Sequence, residues 1–238
     1  MASELLPQPL LLELPVAVKS AGFVVDDHAR VIRALADLAV EGIPERAVDK
    51  RRAEFLAGRF AALQALRGLG VAELPGRNED GSPRWPAETV GSITHGAGRA
   101  LCCVARSSEL RGVGIDAERL MSDDVKLELR RRICSPSELG LGAEELSELG
   151  EHELVSLLFS AKESLYKCLY PSVGRFMDFH AARLVSAKVR SSLPHTLAGE
   201  LTLELAVDWS SMFRAGQRLS AQFHKGAAHV ETAVVLPA

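Results

Sequence analysis

The sequence has few cysteines and no long apolar run, and each absence excludes a class of protein. The four cysteines show no CxxC spacing and are too sparse for a disulfide framework, so we expect neither a thiolate metal site nor a secreted scaffold. They are predicted to be reduced and buried. Apolar stretches such as Leu10 to Leu12 are far shorter than the roughly 18 residues of a membrane span, and the N-terminus does not resemble a signal peptide. We therefore expect a cytoplasmic protein without a membrane span.

The sequence also lacks a strong charge excess. Its 238 residues carry a formal net charge of -3, whereas a general nucleic-acid binder usually has a marked basic excess, so we expect no nucleic-acid partner. Between Arg46 and Arg111, however, eleven Lys and Arg residues stand against seven Asp and Glu residues. This local excess fits either a solvated charged face or a pocket for a small polyanion.

Periodicity of the apolar residues predicts helices and strands in alternating blocks. Helices are predicted at 31–40, 45–69, 123–133 and 151–169, and strands at 90–94, 100–105, 111–116, 182–189, 201–207, 218–223 and 229–236. Loops are predicted at 75–86 and around Pro136, and the last helix is expected to end before Pro171. Helices followed by strands, twice, predict an α+β fold with two similar halves, 1–117 and 118–238, in a pseudo-twofold arrangement with the active site between them.

Three short segments carry the residues suited to chemistry. In Gly114-Ile115-Asp116-Ala117-Glu118, alternation along a strand places both carboxylates on one face, where they suit a shared cation or form only a polar strand end. In the segment from Phe159 to Lys167, Glu163 and Lys167 lie one helical turn apart, which fits either a solvated ion pair or a site.

The third segment is Gly91-Ser92-Ile93-Thr94-His95, which precedes the turn residues Gly96, Ala97 and Gly98. Backbone N–H groups at such a turn can approach an anion. Upstream, Arg51 and Arg59 lie two turns apart on one predicted helix face, and arginine suits phosphate because its fork binds two oxygens. A structural histidine and a solvated arginine face are the alternatives.

The ordered set W-P-x(4)-G-S-I-T-H, G-I-D-A-E and F-S-A-K-E-S-x-x-K resembles the phosphopantetheinyl transferases, specifically the long single-chain type of the enterobactin synthetase component D and surfactin systems. The resemblance extends from about Lys50 to Phe179. It implies transfer of the 4'-phosphopantetheine group from coenzyme A to a serine of acyl, aryl or peptidyl carrier proteins, with release of 3',5'-ADP. It also implies a role in siderophore, polyketide or nonribosomal peptide synthesis.

The resemblance assigns roles to individual residues. Asp116, Glu118 and Glu163 match the family's Mg²⁺ ligands, with Mn²⁺ as an alternative, and Glu163 matches the proposed base, although a metal-bound water is an alternative base. Lys167 and His95 match catalytic groups that contact the phosphates. Further contacts with coenzyme A are expected from basic, hydroxyl and apolar residues: Arg51, Arg59, Arg77, Thr94, Lys162 and Met177.

The same resemblance places the phosphate-binding residues in the first half and the catalytic helix in the second. Short relatives about half as long assemble to bring two copies of the fold together, so a chain with both halves is expected to be a monomer. Two other functions remain open, a Mg²⁺-dependent nuclease or phosphodiesterase and a noncatalytic domain that binds carrier proteins. A nuclease usually needs a long basic track for its polyanionic backbone.

Overall fold

The computed structural model describes residues 5–43, 47–122 and 127–238, and in these ranges five α-helices and ten strands form a mixed fold. The predicted α+β class is confirmed. The chain divides into two compact units. Unit 1 comprises Met1–Val113 and Leu236–Ala238, and unit 2 comprises Gly114–Val235.

Unit 1 contains a three-stranded antiparallel sheet with the order β1-β5-β4 and two helices. Its elements are β1 (Lys19–Val24), α1 (His28–Ala34), α2 (Asp49–Arg67), β2 (Gly76–Arg77), β3 (Pro83–Arg84), β4 (Thr89–Gly96), β5 (Arg99–Arg106) and the start of β6 (Leu110–Arg119). β4 and β5 form a hairpin whose two turn residues, Ala97 and Gly98, have φ values of 53° and 74°. Such positive angles are typical of a two-residue turn that matches the strand twist.

The core of unit 1 forms where α2 packs on the sheet. Leu66 of α2 is fully buried and clusters with Cys102 and Val104 of β5, and Phe60 meets Phe23 of β1 with ring centroids 4.9 Å apart. Burial of each such large apolar side chain contributes roughly 1.5–3 kcal/mol, so this face fixes α2 against the sheet. The helix ends at Arg67 before Gly68, as its glycines predict.

Unit 2 contains a five-stranded sheet with the order β6-β10-β9-β8-β7 and three helices. After β6 come α3 (Leu127–Ile133), α4 (Pro136–Glu145), α5 (Glu151–Val173), a short 3-10 helix (Phe179–Ala181), β7 (Ala182–Leu193), β8 (Thr196–Leu205), β9 (Arg218–Lys225) and β10 (His229–Pro237). The middle of α5 is held to β10 by buried hydroxyls. Ser160 and Ser164 lie 2.9 and 2.7 Å from the Thr232 hydroxyl.

Several sequence predictions need correction. Pro136 does not lie in a loop but begins α4, because Ser135 caps the helix and Glu138 completes a capping box. The last long helix does not end before Pro171 but continues to Val173, where Gly174 follows in the left-handed region at φ 68°. Proline near the end of a helix removes only one intrahelical donor.

Other differences concern the ends of elements. The helix predicted at 31–40 is the shorter α1, and the predicted loop at 75–86 contains the small β2–β3 hairpin. The sequence interpretation did not include β1. Of the helix predicted at 123–133, residues 123–126 lie outside the described ranges, and the remainder is α3.

The four cysteines are free thiols and buried, as predicted. Within the three described ranges, no helix combines the length and apolar composition that crossing a membrane requires.

Candidate active site

Strand β6 carries the first two predicted metal ligands. Asp116 is buried, with a side chain only 2% exposed, and Glu118, two residues further along, is half-buried. Because side chains alternate across a strand, both belong to one face, whereas the fully buried Ile115 and Ala117 belong to the other. The strand therefore presents two carboxylates in the same direction.

Helix α5 lies directly against β6 at Gly114. A Cβ atom at this position would lie 2.0 Å from the Ser164 carbonyl oxygen and 2.5 Å from the Cys168 nitrogen. Real Cβ contacts are never so short, so only glycine allows the two backbones this approach. The contact is two residues from Asp116 on β6 and one residue from Glu163 on α5.

The close approach brings Asp116 and Lys167 together. The Lys167 ammonium donates to Asp116 Oδ1 at 2.6 Å, and the lysine side chain is 27% exposed. The pair is thus a half-buried ion pair that reaches solvent on its lysine side. It brings the segment Gly114–Glu118 into contact with the segment from Phe159 to Lys167, as the site prediction requires.

Glu163 shares the electrostatic environment of this pair. Burial raises the pKa of the Glu163 carboxyl above its ordinary value, and the nearby Asp116 carboxylate adds to the rise, whereas the Lys167 ammonium opposes it. Repulsion between carboxylates and burial both favour the protonated acid. A cation placed between them would favour the ionised form, and a raised pKa also suits a proton acceptor near neutral pH.

The predicted metal ligands do not form a ready-made metal centre in the part of the chain that the structure describes. Within residues 5–43, 47–122 and 127–238, no group of three His, Cys, Asp or Glu side chains stands ready to hold an ion. In the present arrangement Lys167 provides the positive charge at Asp116. The donor set of three carboxylates still fits Mg²⁺, which prefers oxygen ligands. Which metal, if any, these residues hold stays a prediction.

The environment of Lys162 differs from the one that its predicted role in coenzyme A binding requires. Its side chain is 3% exposed, and its ammonium donates to Glu138 at 2.7 Å and to the Ile133 carbonyl at 2.8 Å. Glu138, which the sequence interpretation missed, also accepts hydrogen bonds from the backbone of Ser135 and Leu184. The capping-box pattern Ser-x-x-Glu at 135–138 was the available signal.

A pocket in unit 2 adjoins Glu163. Met177, predicted to contact the pantetheine arm, lines it together with Glu163 and Lys162, and the remaining lining is mostly apolar: Leu165, Tyr166, Phe176, Asp178, Phe179, Ala182 and Trp209. Such a pocket suits an uncharged, partly apolar chain. Phe179 and Trp209 were missed because aromatic residues in a sequence usually indicate core.

The predicted phosphate ligands of unit 1 meet in a second pocket. It is lined by residues of α2, the β2–β3 hairpin and β4: Arg51, Glu54, Phe55, Gly58, Arg59, Arg77, Gly81, Pro83, Ile93 and His95. Thr94, the neighbour of His95 on β4, is buried and is not among the residues that line this pocket. The structure therefore brings three separate basic segments to one cavity. Glu54 was missed, although it lies three residues after Arg51 on the same helix.

Arg59 is the buried cation of this cavity. The residue is 3% exposed, its guanidinium lies 5.1 Å above the Phe55 ring, and its buried Nη1 has no hydrogen-bond partner within the described residues. Burial is the main cause that lowers the pKa of Arg59, and Arg77 contributes in the same direction. Arginine nevertheless keeps its charge in proteins, so a buried, incompletely bonded guanidinium favours an anion in the cavity.

Comparison with known proteins gives consistent matches. Residues 39–105 match the 4'-phosphopantetheinyl transferase N-terminal domain, and residues 112–222 match the 4'-phosphopantetheinyl transferase superfamily. The chain is 32% identical over 178 residues to 4'-phosphopantetheinyl transferase Npt of Nocardia iowensis, which covers 72% of this chain and 73% of that protein.

Two further relatives are named enterobactin synthase component D. Identity is 37% over 148 residues with the Salmonella typhi protein and 39% over 137 residues with the Salmonella typhimurium protein. These matches cover 62% and 58% of this chain. The chain spans only 60% and 56% of the lengths of the two relatives.

Proposed function

The chain belongs to the 4'-phosphopantetheinyl transferase superfamily, and from this premise we propose that it transfers 4'-phosphopantetheine from coenzyme A to a serine of a carrier protein. The observation that carries the proposal is the Asp116–Lys167 pair beside Glu163, on a strand and a helix that touch at Gly114. The pair supplies a cation for phosphate and the neighbouring glutamate supplies a base. The second product is 3',5'-ADP.

We propose that Asp116, Glu118 and Glu163 hold Mg²⁺ when coenzyme A is bound, with Mn²⁺ as the alternative. The ion supplies positive charge that offsets the pyrophosphate and polarises its oxygens. Lys167 bonds to Asp116 in the present arrangement and has solvent access, so it can move to a phosphate oxygen when the carboxylate takes a different cation. This role agrees with the position of Lys167, which is the solvent-accessible member of the half-buried pair.

In the reaction, Glu163 accepts the proton of the serine hydroxyl as the serine oxygen attacks the β-phosphorus. One P–O bond forms to serine, and the bond from that phosphorus to the bridging oxygen breaks, so the electron pair leaves with 3',5'-ADP. Lys167 and His95 offset the charge on the leaving group. A positioned base contributes about 10²- to 10⁴-fold to such a step.

The remaining predicted residues hold the substrate. Arg51, Arg59 and Arg77 take the nucleotide phosphates together with Thr94, and the cavity that the three arginines share with His95 supports their part of this assignment. Met177 lines the pocket beside Glu163 that suits the pantetheine arm, and Lys162 lies at the same pocket. That both groups of residues act on one coenzyme A molecule stays a prediction, as does the pseudo-twofold relation of two halves.

The relatives named enterobactin synthase component D suggest carrier proteins of siderophore synthesis, and polyketide or nonribosomal peptide carriers are the other candidates. We propose that the enzyme acts in the cytoplasm as a monomer. Light scattering at catalytic concentrations measures the oligomeric state, and an obligate trimer that loses activity on dilution would contradict the monomer.

Mass spectrometry of a carrier domain incubated with the protein, coenzyme A and Mg²⁺ tests the function. We expect the carrier to gain one phosphopantetheine group with the wild type and almost none with Glu163→Gln. Cleavage of coenzyme A without a carrier would indicate a phosphodiesterase instead. Carrier binding without any modification would indicate a noncatalytic domain.

A further inference from the structure

The His95 ring lies between two residues of helix α2. Arg51 Nη1 is 3.0 Å from His95 Nε2, and Glu54 Oε2 is 3.7 Å from His95 Nδ1. Arg51 and Glu54 are three residues apart, so they lie on one face of the helix. All three side chains line the cavity proposed for phosphate.

The contact with Arg51 fixes where the imidazole carries its proton. A guanidinium has only donors and stays charged, so Nε2 must accept the hydrogen bond through its lone pair. The single proton of the neutral ring is then on Nδ1, the nitrogen that faces Glu54. His95 is therefore neutral in this arrangement, with its acceptor directed at the arginine.

Binding of phosphate would require His95 Nε2 to change from a hydrogen-bond acceptor to a donor. Phosphate oxygens are acceptors, so a phosphate that replaces Arg51 at Nε2 meets a lone pair unless that nitrogen gains a proton. The ring keeps its Nδ1 proton and becomes an imidazolium with two donors. Glu54, already next to Nδ1, then faces a cation instead of a neutral ring.

The other charged groups around the ring oppose this change until an anion arrives. Besides Arg51 and Glu54, the cavity is lined by Arg59 from α2 and Arg77 from β2, and Lys50 Nζ lies 3.9 Å from the other Glu54 oxygen. The three guanidiniums that line the cavity disfavour another positive charge, and Glu54 is the one carboxylate among the described residues that line it. A phosphate brings the negative charge that reverses this balance.

We propose that binding of coenzyme A through this cavity takes up one proton at His95 Nε2 and that Glu54 is the positioning residue for the protonated ring. The proton comes from the solvent. Glu54 acts through His95 and needs no contact with the ligand. This inference rests on the proposed function, because it concerns how the proposed phosphate site works.

Calorimetric titration of coenzyme A at pH 8 in two buffers with different ionisation enthalpies measures the proton uptake. At this pH an ordinary imidazole, with a pKa of about 6.5, is mostly neutral before binding. We expect about one proton per coenzyme A with the wild type and almost none with His95→Asn. Equal enthalpies in both buffers, or undiminished uptake by His95→Asn, would overturn the proposal.

Glu54→Gln tests the positioning role. Loss of the Glu54 carboxylate, whose side chain is 16% exposed, should weaken coenzyme A binding about three- to fivefold at pH 8 and less at pH 5.5, where the ring is protonated without help. The matched control is Glu73→Gln, an exposed loop residue outside the cavity, which should bind like the wild type. Equal weakening of Glu54→Gln at both pH values would contradict the role of Glu54.

These outcomes separate the inference from the proposed function. Tight coenzyme A binding without proton uptake overturns the inference and leaves the transferase intact. No binding by the wild type in any buffer overturns both. Thermal unfolding of each variant identifies a loss of binding that comes from misfolding, and in that case Glu54→Asp, which keeps the charge, must retain the proton uptake.

Discussion

Lys162 and Glu138 form an ion pair in which both side chains are almost completely buried. The Nζ to Oε1 distance is 2.7 Å, and the side chains are 3% and 2% exposed. The same carboxylate accepts hydrogen bonds from Ser135 at the start of α4 and from Leu184 on β7. One glutamate therefore joins two helices and a strand of unit 2. This arrangement indicates a structural role for Lys162, whereas the family resemblance predicts a role in coenzyme A binding.

Replacement of Lys162 by Met should destabilise the protein by about 3–5 kcal/mol, because it leaves the Glu138 charge buried without its partner. Urea unfolding measures the change. The control is Lys188→Met on the exposed side of β7, which should stay close to wild type. Normal stability of Lys162→Met combined with lost coenzyme A binding would favour the substrate role instead.

The Glu138 carboxyl should also make stability depend on pH. Burial alone raises its pKa, but the ion pair with Lys162 and the hydrogen bonds outweigh burial and bring the pKa of Glu138 below its ordinary value of 4.5. Its contribution is therefore present above pH 4.5 and is lost as the pH falls through the lower value of the folded state. The stability difference between wild type and Glu138→Gln should shrink as the pH falls below 4.5. A difference that stays constant over this range would contradict the assignment.

Asp116→Asn and Glu163→Gln should each reduce transfer by at least about 10²-fold and leave the protein folded, because each removes a charge at the site and hardly changes its shape. Carrier modification measured over time gives the rate, and circular dichroism checks the fold. Near-normal turnover of both variants at saturating Mg²⁺ would remove these carboxylates from the reaction.

Gly114→Ala tests the contact between β6 and α5. The new methyl group would overlap the Ser164 carbonyl, so strand and helix must separate, at a cost of about 1–3 kcal/mol or more. We expect the transfer rate to fall together with the stability, since Asp116 and Lys167 depend on this approach. Gly140→Ala in α4 is the control, because a Cβ there meets nothing within 4 Å. Equal behaviour of the two variants would show that the contact is not needed.

Simultaneous replacement of Arg51 and Arg59 by Ala should weaken binding of coenzyme A much more than binding of dephospho-coenzyme A, if these arginines hold the 3'-phosphate. Charge-assisted hydrogen bonds from arginine to phosphate are among the stronger polar contacts. Titration of both ligands measures the difference, with Arg52→Ala/Arg67→Ala on the exposed side of α2 as the control. Equal losses with both ligands, fading with added salt, would indicate a solvated face.

Sequence patterns predicted the long elements well because those elements bury a regular face. α2 and α5 repeat apolar residues at helical spacing over about five turns or more, so tertiary contacts only adjust their ends. β1 has six residues, and its one buried position is Gly22, which has no side chain, so the strand gives no periodic apolar signal. α4 was missed because Pro136 was interpreted as a loop residue, although proline also suits the first helical position.

Site residues that belong to short sequence motifs could be predicted. Residues that matter because the tertiary fold places them beside a charged side chain could not. Asp116, Glu163 and Lys167 came from two such segments, and their contact agrees with the prediction that these segments meet. Glu54 belongs to no motif, and the capping box that contains Glu138 indicates the start of a helix but not a partner for Lys162. Their importance comes from the buried lysine and the histidine that the fold places beside them.

The buried cysteines give each unit its own chemical probe of opening. Cys102 and Cys103 lie on β5 in unit 1, whereas Cys134 and Cys168 belong to unit 2. Burial raises the pKa of Cys134 and of Cys168 to about 12 and that of Cys102 well above its ordinary value, so the thiolates that alkylating reagents attack are scarce in the folded state. Alkylation mapped by peptide mass spectrometry therefore reports separately when each unit unfolds, without any added label.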